Sequence, residues 1–159
     1  MLYEEATTTD TSKAPVLTEL EVGQEVLNRT IPISRADLVR YAGASGDYNT
    51  SHWNERFAKE VGLPNVIAHG MLTLGSVVAR VTDWTGDPGS VLDARTRFTS
   101  MVVVPDAESG PPTAPTAQLA LTATVGAIDA DAGVVRLDLA VSAGDDSVLG
   151  RTQVKVRLA

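Results

Sequence analysis

The chain contains no cysteine. That excludes a disulfide framework, a thiolate nucleophile and every cysteine-ligated metal or iron–sulfur centre, and it fits a reducing compartment. Histidine is nearly as scarce: His52 and His69 are the only two among 159 residues, so imidazole chemistry has two places to occur. Aromatic residues make up 4%. Bases are outnumbered, with 13 Lys and Arg against 20 Asp and Glu and a net charge of −7. Phosphate backbones are neutralised by clustered cations, so no nucleic-acid partner is expected. No apolar run approaches the roughly 18 residues of a spanning helix. Residues 1–15 lack the basic start and apolar centre of a signal peptide. The expectation is a cytoplasmic protein with no membrane partner.

What is present is ordinary for a globular chain: 43% hydrophobic and 21% charged residues, in a length close to the roughly 150 residues of one domain. Residues 1–15 are rich in Thr, Glu and Asp without periodicity, and a flexible N-terminal tail is expected there. Residues 16–159 are expected to form the single folded domain. Residues 23–33 are strand-like. Ser34 followed by Asp37 forms a capping-box pattern that predicts a helix to about Ala44, broken by Gly43, Ser45, Gly46 and Asp47. A short helix is expected over 54–60.

The strongest helical signal is Met71, Leu74, Val78 and Val81, flanked by Leu72 and Val77 and closed by Trp84. It predicts a long helix buried on most sides. Gly75, Ser76 and Ala79 occupy its remaining surface, where a closely packed backbone is expected. After Gly89 the period changes to two. Leu119, Leu121, Ala123 and Val125 form one alternating series, Val135, Leu137, Leu139 and Val141 a second, and Val154, Val156 and Leu158 a third. Residues 98–104 read as a uniformly apolar strand, and 108–115 as a flexible connector. Strands in succession without intervening helices predict an antiparallel sheet. The fold class is α+β, one long helix on a curved antiparallel sheet.

The chemistry concentrates between Tyr41 and Gly70. Asp47 and His52 lie five residues apart in a loop flanked by Gly46 and Asn49, close enough for an acid and a base to share one cleft. Taken singly, Asp47 reads as a turn carboxylate, His52 as a surface or satisfied core histidine and His69 as a helix-entry residue. A zinc site from Asp47, His52 and His69 is formally possible; the expectation is no metal and no cofactor. Gly70 and Met71 begin the long helix, whose free N–H groups and dipole favour negative charge. Base, acid and oxyanion donor are the parts needed to move a proton beside a thioester carbonyl.

The segment YAGASGDYNTSHW (residues 41–53), followed by IAHGMLT (67–73) and WTGDP (84–88), resembles the MaoC-like (R)-specific enoyl-thioester hydratases and dehydratases, most closely the catalytic subunits of (3R)-hydroxyacyl-carrier-protein dehydratases. The likeness spans about residues 20–159. It implies a hot-dog fold, a long central helix wrapped by the sheet. It further implies Asp47 and His52 as the catalytic pair, Gly70 as oxyanion donor and Asn49 as a loop- or water-orienting residue.

The reaction it implies is reversible hydration of a trans-2-enoyl thioester, carried on coenzyme A or acyl carrier protein, to the (3R)-3-hydroxyacyl form. A homodimer, or a heterodimer with a second hot-dog subunit, goes with it; the alternative is a non-catalytic hot-dog subunit that binds an acyl chain or scaffolds a partner. Thr50 and Ser51 depart from the family's usual Pro and Leu or Ile, which predicts a looser loop or a more polar pocket. Some members use a serine further along the helix where this chain has Val78, so no such role carries over. Tyr41 and Trp53 are expected in the pocket wall or core. An acidic carrier would need a local basic patch, with Arg56, Lys59, Arg80, Arg95, Arg97, Arg151, Lys155 and Arg157 as candidates.

Overall fold

The computed structural model describes residues 14–158. The expected tail at residues 1–15 therefore lies almost entirely outside the described residues. A short 3-10 turn, Leu17–Glu19, precedes strand β1 (Glu25–Ser34), helix α1 (Arg35–Ser45), a second 3-10 turn (Thr50–His52), helix α2 (Glu55–Glu60) and the long helix α3 (Gly70–Thr85). Strands β2 (Val91–Phe98), β3 (Pro115–Asp129), β4 (Val134–Ala143) and β5 (Asp146–Arg157) complete the chain. The five strands form one antiparallel sheet in the order β1-β3-β4-β5-β2.

The two-residue period explains the inner face of this sheet. Val125 faces Leu137, and Leu137 faces Val154, so one row of side chains crosses three strands. All three are buried. The next row, Ala123 with Leu139, follows the same rule. At full burial each such side chain contributes about 1.5–3 kcal/mol. Helix α3 lies on this face and seals the core with Val77 and Val81, both fully buried. A long helix wrapped by a curved antiparallel sheet is the hot-dog fold.

Helix α1 begins as its sequence dictates. The Ser34 side chain accepts the Asp37 N–H and the Asp37 carboxylate accepts the Ser34 N–H, a complete capping box. Burial raises the Asp37 pKa, but the hydrogen bonds from Ser34 and the neighbouring Arg40 outweigh it, and the carboxyl sits below its usual range. The helix ends at Gly46, whose φ of 74° is left-handed and turns the chain straight into Asp47.

Three expectations need correction. The buried stripe of α3 is Thr73, Val77, Val81 and Thr85. Met71 is exposed, while Leu74 and Val78 only flank the core. A four-residue step drifts slowly around a helix, and the curved sheet follows that drift. On the small face of Gly75, Ser76 and Ala79, nothing among the described residues lies within 4 Å of a Cβ built at Gly75, so no described backbone packs there. This face lines an open groove between α1 and α3 instead. Finally, residues 99–104 are not a sheet strand, and of the expected 98–104 only Phe98 lies in one. The strand lies upstream, at Val91–Phe98, where its alternation is masked by the exposed Arg95 and Arg97 of an edge strand. Residues 102–104 cross to residues 66–68 instead: the Ala68 N–H donates to the Val102 carbonyl at 2.8 Å and the Val104 N–H to the Val66 carbonyl at 2.9 Å.

Candidate active site

The loop from Gly46 to Trp53 is a chain of side-chain-to-backbone turns. The Asp47 Oδ1 accepts the Asn49 N–H at 3.1 Å. The Asn49 Oδ1 in turn accepts the Ser51 N–H at 3.2 Å and the Ser51 hydroxyl at 3.1 Å. Each is an Asx-type link that replaces a backbone ladder. The turn Thr50–His52 follows, and the Trp53 indole N–H donates to the Tyr48 carbonyl at 3.0 Å. Trp53 is thus an exposed clasp of the loop and not a core residue. At Ser51 the hydroxyl supplies the loop with a tie of its own.

His52 is oriented by the main chain. Its Nδ1 lies 2.7 Å from the Ile67 carbonyl oxygen; a carbonyl can only accept, so Nδ1 carries the proton and donates. The lone pair is left on Nε2, the arrangement of a general base. The Ile67 carbonyl is held in turn by its surroundings. Its own N–H donates to the Ser51 carbonyl at 3.2 Å. Arg35 ties the neighbouring segments together, donating to the Val104 carbonyl, to Asn65 Oδ1 at 2.6 Å and to Glu55 Oε2 at 2.8 Å. Hydrogen bonds from Lys59 and Arg35 draw the Glu55 pKa down to about 2.

His69 is the residue whose part the sequence did not disclose. It is the N-cap of α3, as expected of a helix-entry residue, yet it makes no side-chain cap. It is 2% exposed. Its Nε2–H donates to the Asp47 carbonyl oxygen at 3.1 Å. Its ring stacks on that of His52 with centroids 3.8 Å apart and planes 27° from parallel, and the Tyr41 ring lies 4.8 Å from it.

Asp47, His52 and His69 bring ligand-type atoms within 4.8 Å of one another. Imidazole lone pairs lie in the ring plane, and rings stacked face to face aim theirs side by side.

The amino end of α3 completes the site. Gly70 opens the helix, so the N–H groups of its first turn have no intrahelical partner. A cavity of about 190 Å³ is lined by His52, Gly70, Thr73, Phe98, Met101 and Val148, among others. Phe98, Met101 and Val148 come from far along the chain. Nothing in the local sequence marks them as pocket residues. Of the bases expected to form a patch, Arg56, Lys59, Arg80 and Arg95 are each paired with a nearby carboxylate. Among the described residues Arg97, Arg151, Lys155 and Arg157 make no ion pair.

Fold and site together define a class: a hot-dog protein with Asp47, His52 and His69 gathered near the amino end of its central helix. Residues 18–109 match the model of the MaoC-like domain, and the chain belongs to that family. It is 47% identical over 49 residues to 3-hydroxyacyl-thioester dehydratase X of Mycobacterium tuberculosis, covering 31% of this chain and 18% of that protein. It is 37% identical over 79 residues to 3-hydroxybutyryl-CoA dehydratase of Methylorubrum extorquens, covering 49% of each. A solved MaoC-like dehydratase superimposes with a TM-score of 0.81 at 31% identity, over 94% of this chain and 45% of that one. Each match thus covers less than half the length of the relative concerned.

Proposed function

We propose that the protein reversibly hydrates trans-2-enoyl thioesters to (3R)-3-hydroxyacyl thioesters. One observation carries this reading: the Ile67 carbonyl fixes His52 with its Nε2 lone pair available, close to the Asp47 carboxylate and to the amino end of α3. In dehydration, His52 Nε2 takes a proton from C2, the electrons pass into the thioester as an enolate, and the Gly70 N–H stabilises the developing oxyanion. Asp47 then protonates the C3 hydroxyl as it leaves as water. In hydration the same pair activates water and returns the proton to C2. Asn49 serves by holding the loop, since its Oδ1 is committed to Ser51. The names of the relatives, dehydratases acting on 3-hydroxyacyl thioesters, support the reaction class.

The substrate is carried on coenzyme A or acyl carrier protein. Arg97 adjoins Phe98 at the pocket wall and pairs in register with Gly150, next to Arg151. These two bases are the candidates for a carrier's phosphate. A cavity of about 190 Å³ is smaller than the roughly 300 Å³ at which ligand pockets usually begin. A second hot-dog subunit, identical or not, supplies the remaining wall.

The test is the loss of enoyl-thioester absorbance with crotonyl- and longer trans-2-enoyl-CoA, with Asp47→Asn and His52→Ala alongside. Turnover by the wild type, a (3R) product on chiral analysis, and losses of about 10²–10⁴-fold in both variants are expected. No turnover at any chain length, with or without a second hot-dog subunit, identifies a binding or scaffolding subunit instead.

A further inference from the structure

We propose that His69 is a positioning residue that holds Asp47 and His52 in one catalytic geometry; this rests on the hydratase reading above. Its side-chain hydrogen bond and its two ring contacts fall on Asp47, His52 and Tyr41. The Nε2–H donates to the Asp47 carbonyl at 3.1 Å, which sets where the Asp47 backbone enters the loop. The face of the ring supports the His52 ring at 3.8 Å. His52 already has its Nδ1–H held by the Ile67 carbonyl. A hydrogen bond in the ring plane and a stacked neighbour below it leave the imidazole little freedom to tilt. His69 therefore reaches the acid through its backbone and the base through its ring.

The atom that His69 does not use argues for this role. With Nε2 protonated, Nδ1 holds a lone pair, and it finds no hydrogen-bond partner among the described residues although it is buried. A buried acceptor without a partner weakens a fold. A purely structural helix-entry position would be filled better by an apolar ring or by Ser, Asp or Asn, which cap a helix where His69 makes no cap. What imidazole alone supplies here is a flat ring to stack on His52 and an in-plane donor aimed at the Asp47 carbonyl. Tyr41 at 4.8 Å is the other ring against it, and Asp47 and His52 are the titratable groups facing it from the loop.

Two substitutions separate the contacts. His69→Phe keeps a ring under His52 and removes the donor; His69→Gln keeps an amide N–H that can reach the Asp47 carbonyl and removes the ring. Each is expected to lower kcat at least tenfold on the best enoyl-CoA, with KM within about threefold and a melting temperature no lower than that of the wild type for His69→Phe. A structural residue would give the opposite pattern, a lower melting temperature with kcat preserved in the folded fraction. Long-range ¹H–¹⁵N spectra of the imidazoles give a reading independent of turnover: the wild type should show His69 protonated on Nε2 and His52 on Nδ1. Wild-type turnover with either variant within twofold in kcat overturns the role of His69 alone. A wild type without turnover overturns the hydratase reading, and the spectra then judge the His69 contact. A proton on Nδ1 of His69 overturns it.

Discussion

A methyl group placed on Gly70 would come within 3.0 Å of two ring carbons of Phe98. The two residues meet at the mouth of the cavity, where Phe98 forms a wall and the Gly70 N–H faces the thioester in the proposed reaction. A side chain at this helix start would thus have to displace its neighbour, although the glycine's φ is ordinary. Gly70→Ala should push the half-exposed Phe98 ring aside, with little effect on the core. The expected outcome is a kcat lowered roughly tenfold, short of the ~10²–10³ that follows removal of an oxyanion donor, and a raised KM. Steady-state kinetics on crotonyl-CoA beside a thermal melt checks this; a variant as active as wild type would show that the ring yields freely.

Thr50 offers the reverse case, a substitution that should help. It begins the 3-10 turn after Asn49, whose φ of −52° and ψ of 125° suit a residue preceding proline. No hydrogen bond is recorded from the Thr50 N–H among the described residues. Thr50→Pro should therefore stabilise the protein by about 0.4–1 kcal/mol through the unfolded chain, with activity retained. Urea denaturation measures it. A loss of stability would mean that the turn cannot accept the ring.

Asn49→Ala should act in the opposite direction. It removes the acceptor for both the Ser51 N–H and the Ser51 hydroxyl, and these lie in an exposed loop, so stability should change by less than about 1 kcal/mol. Activity should fall more than tenfold because the loop sets the spacing of Asp47 and His52. Ser51→Ala, which deletes only the hydroxyl tie, should lose a fewfold. Equal losses in the two variants would locate the effect at the hydroxyl.

Stability below neutral pH should carry the signature of Glu55. Its carboxyl, bonded by Lys59 and Arg35, titrates at about 2 in the folded chain against an ordinary 4.5. A depressed folded value gives stability that is present above pH 4.5 and is lost as pH falls toward 2. Glu55→Gln should melt below the wild type at pH 7 and converge with it as the pH falls toward 3, because the contribution it removes is present only above that range. Melting curves from pH 7 to 3 for both proteins test it, and parallel curves would refute it.

Ser34→Ala probes the start of α1. Losing the cap from the Asp37 N–H should cost about 1 kcal/mol, read as a shift of roughly 2–4 °C in a domain of this size. The capping box was legible because it is a local pattern: Ser34 and Asp37 are three residues apart and meet through the geometry of one helical turn. The alternating strands were legible for the same reason, since each residue's face is set by its own backbone. The edge strand at Val91–Phe98 was not, because only one of its sides is paired and its solvent-facing Arg95 and Arg97 break the apolar pattern. The stripe of α3 was misplaced because its burial is decided by the curvature of five strands and not by the helix itself.

The sequence by itself determined the α+β class, the order of most elements, the Asp47–His52 loop and the resemblance that pointed to thioester hydration. These rest on residue type and short-range spacing, which the local backbone converts directly into structure. Tertiary structure decided the rest. Only when residues 66–68 pair with 102–104 does the Ile67 carbonyl arrive at His52 and choose its tautomer. Only the return of the chain after α2 brings His69 under His52 and against the Asp47 carbonyl. Such contacts join segments 15 and 22 residues apart, and no periodicity within either segment encodes where the other will lie.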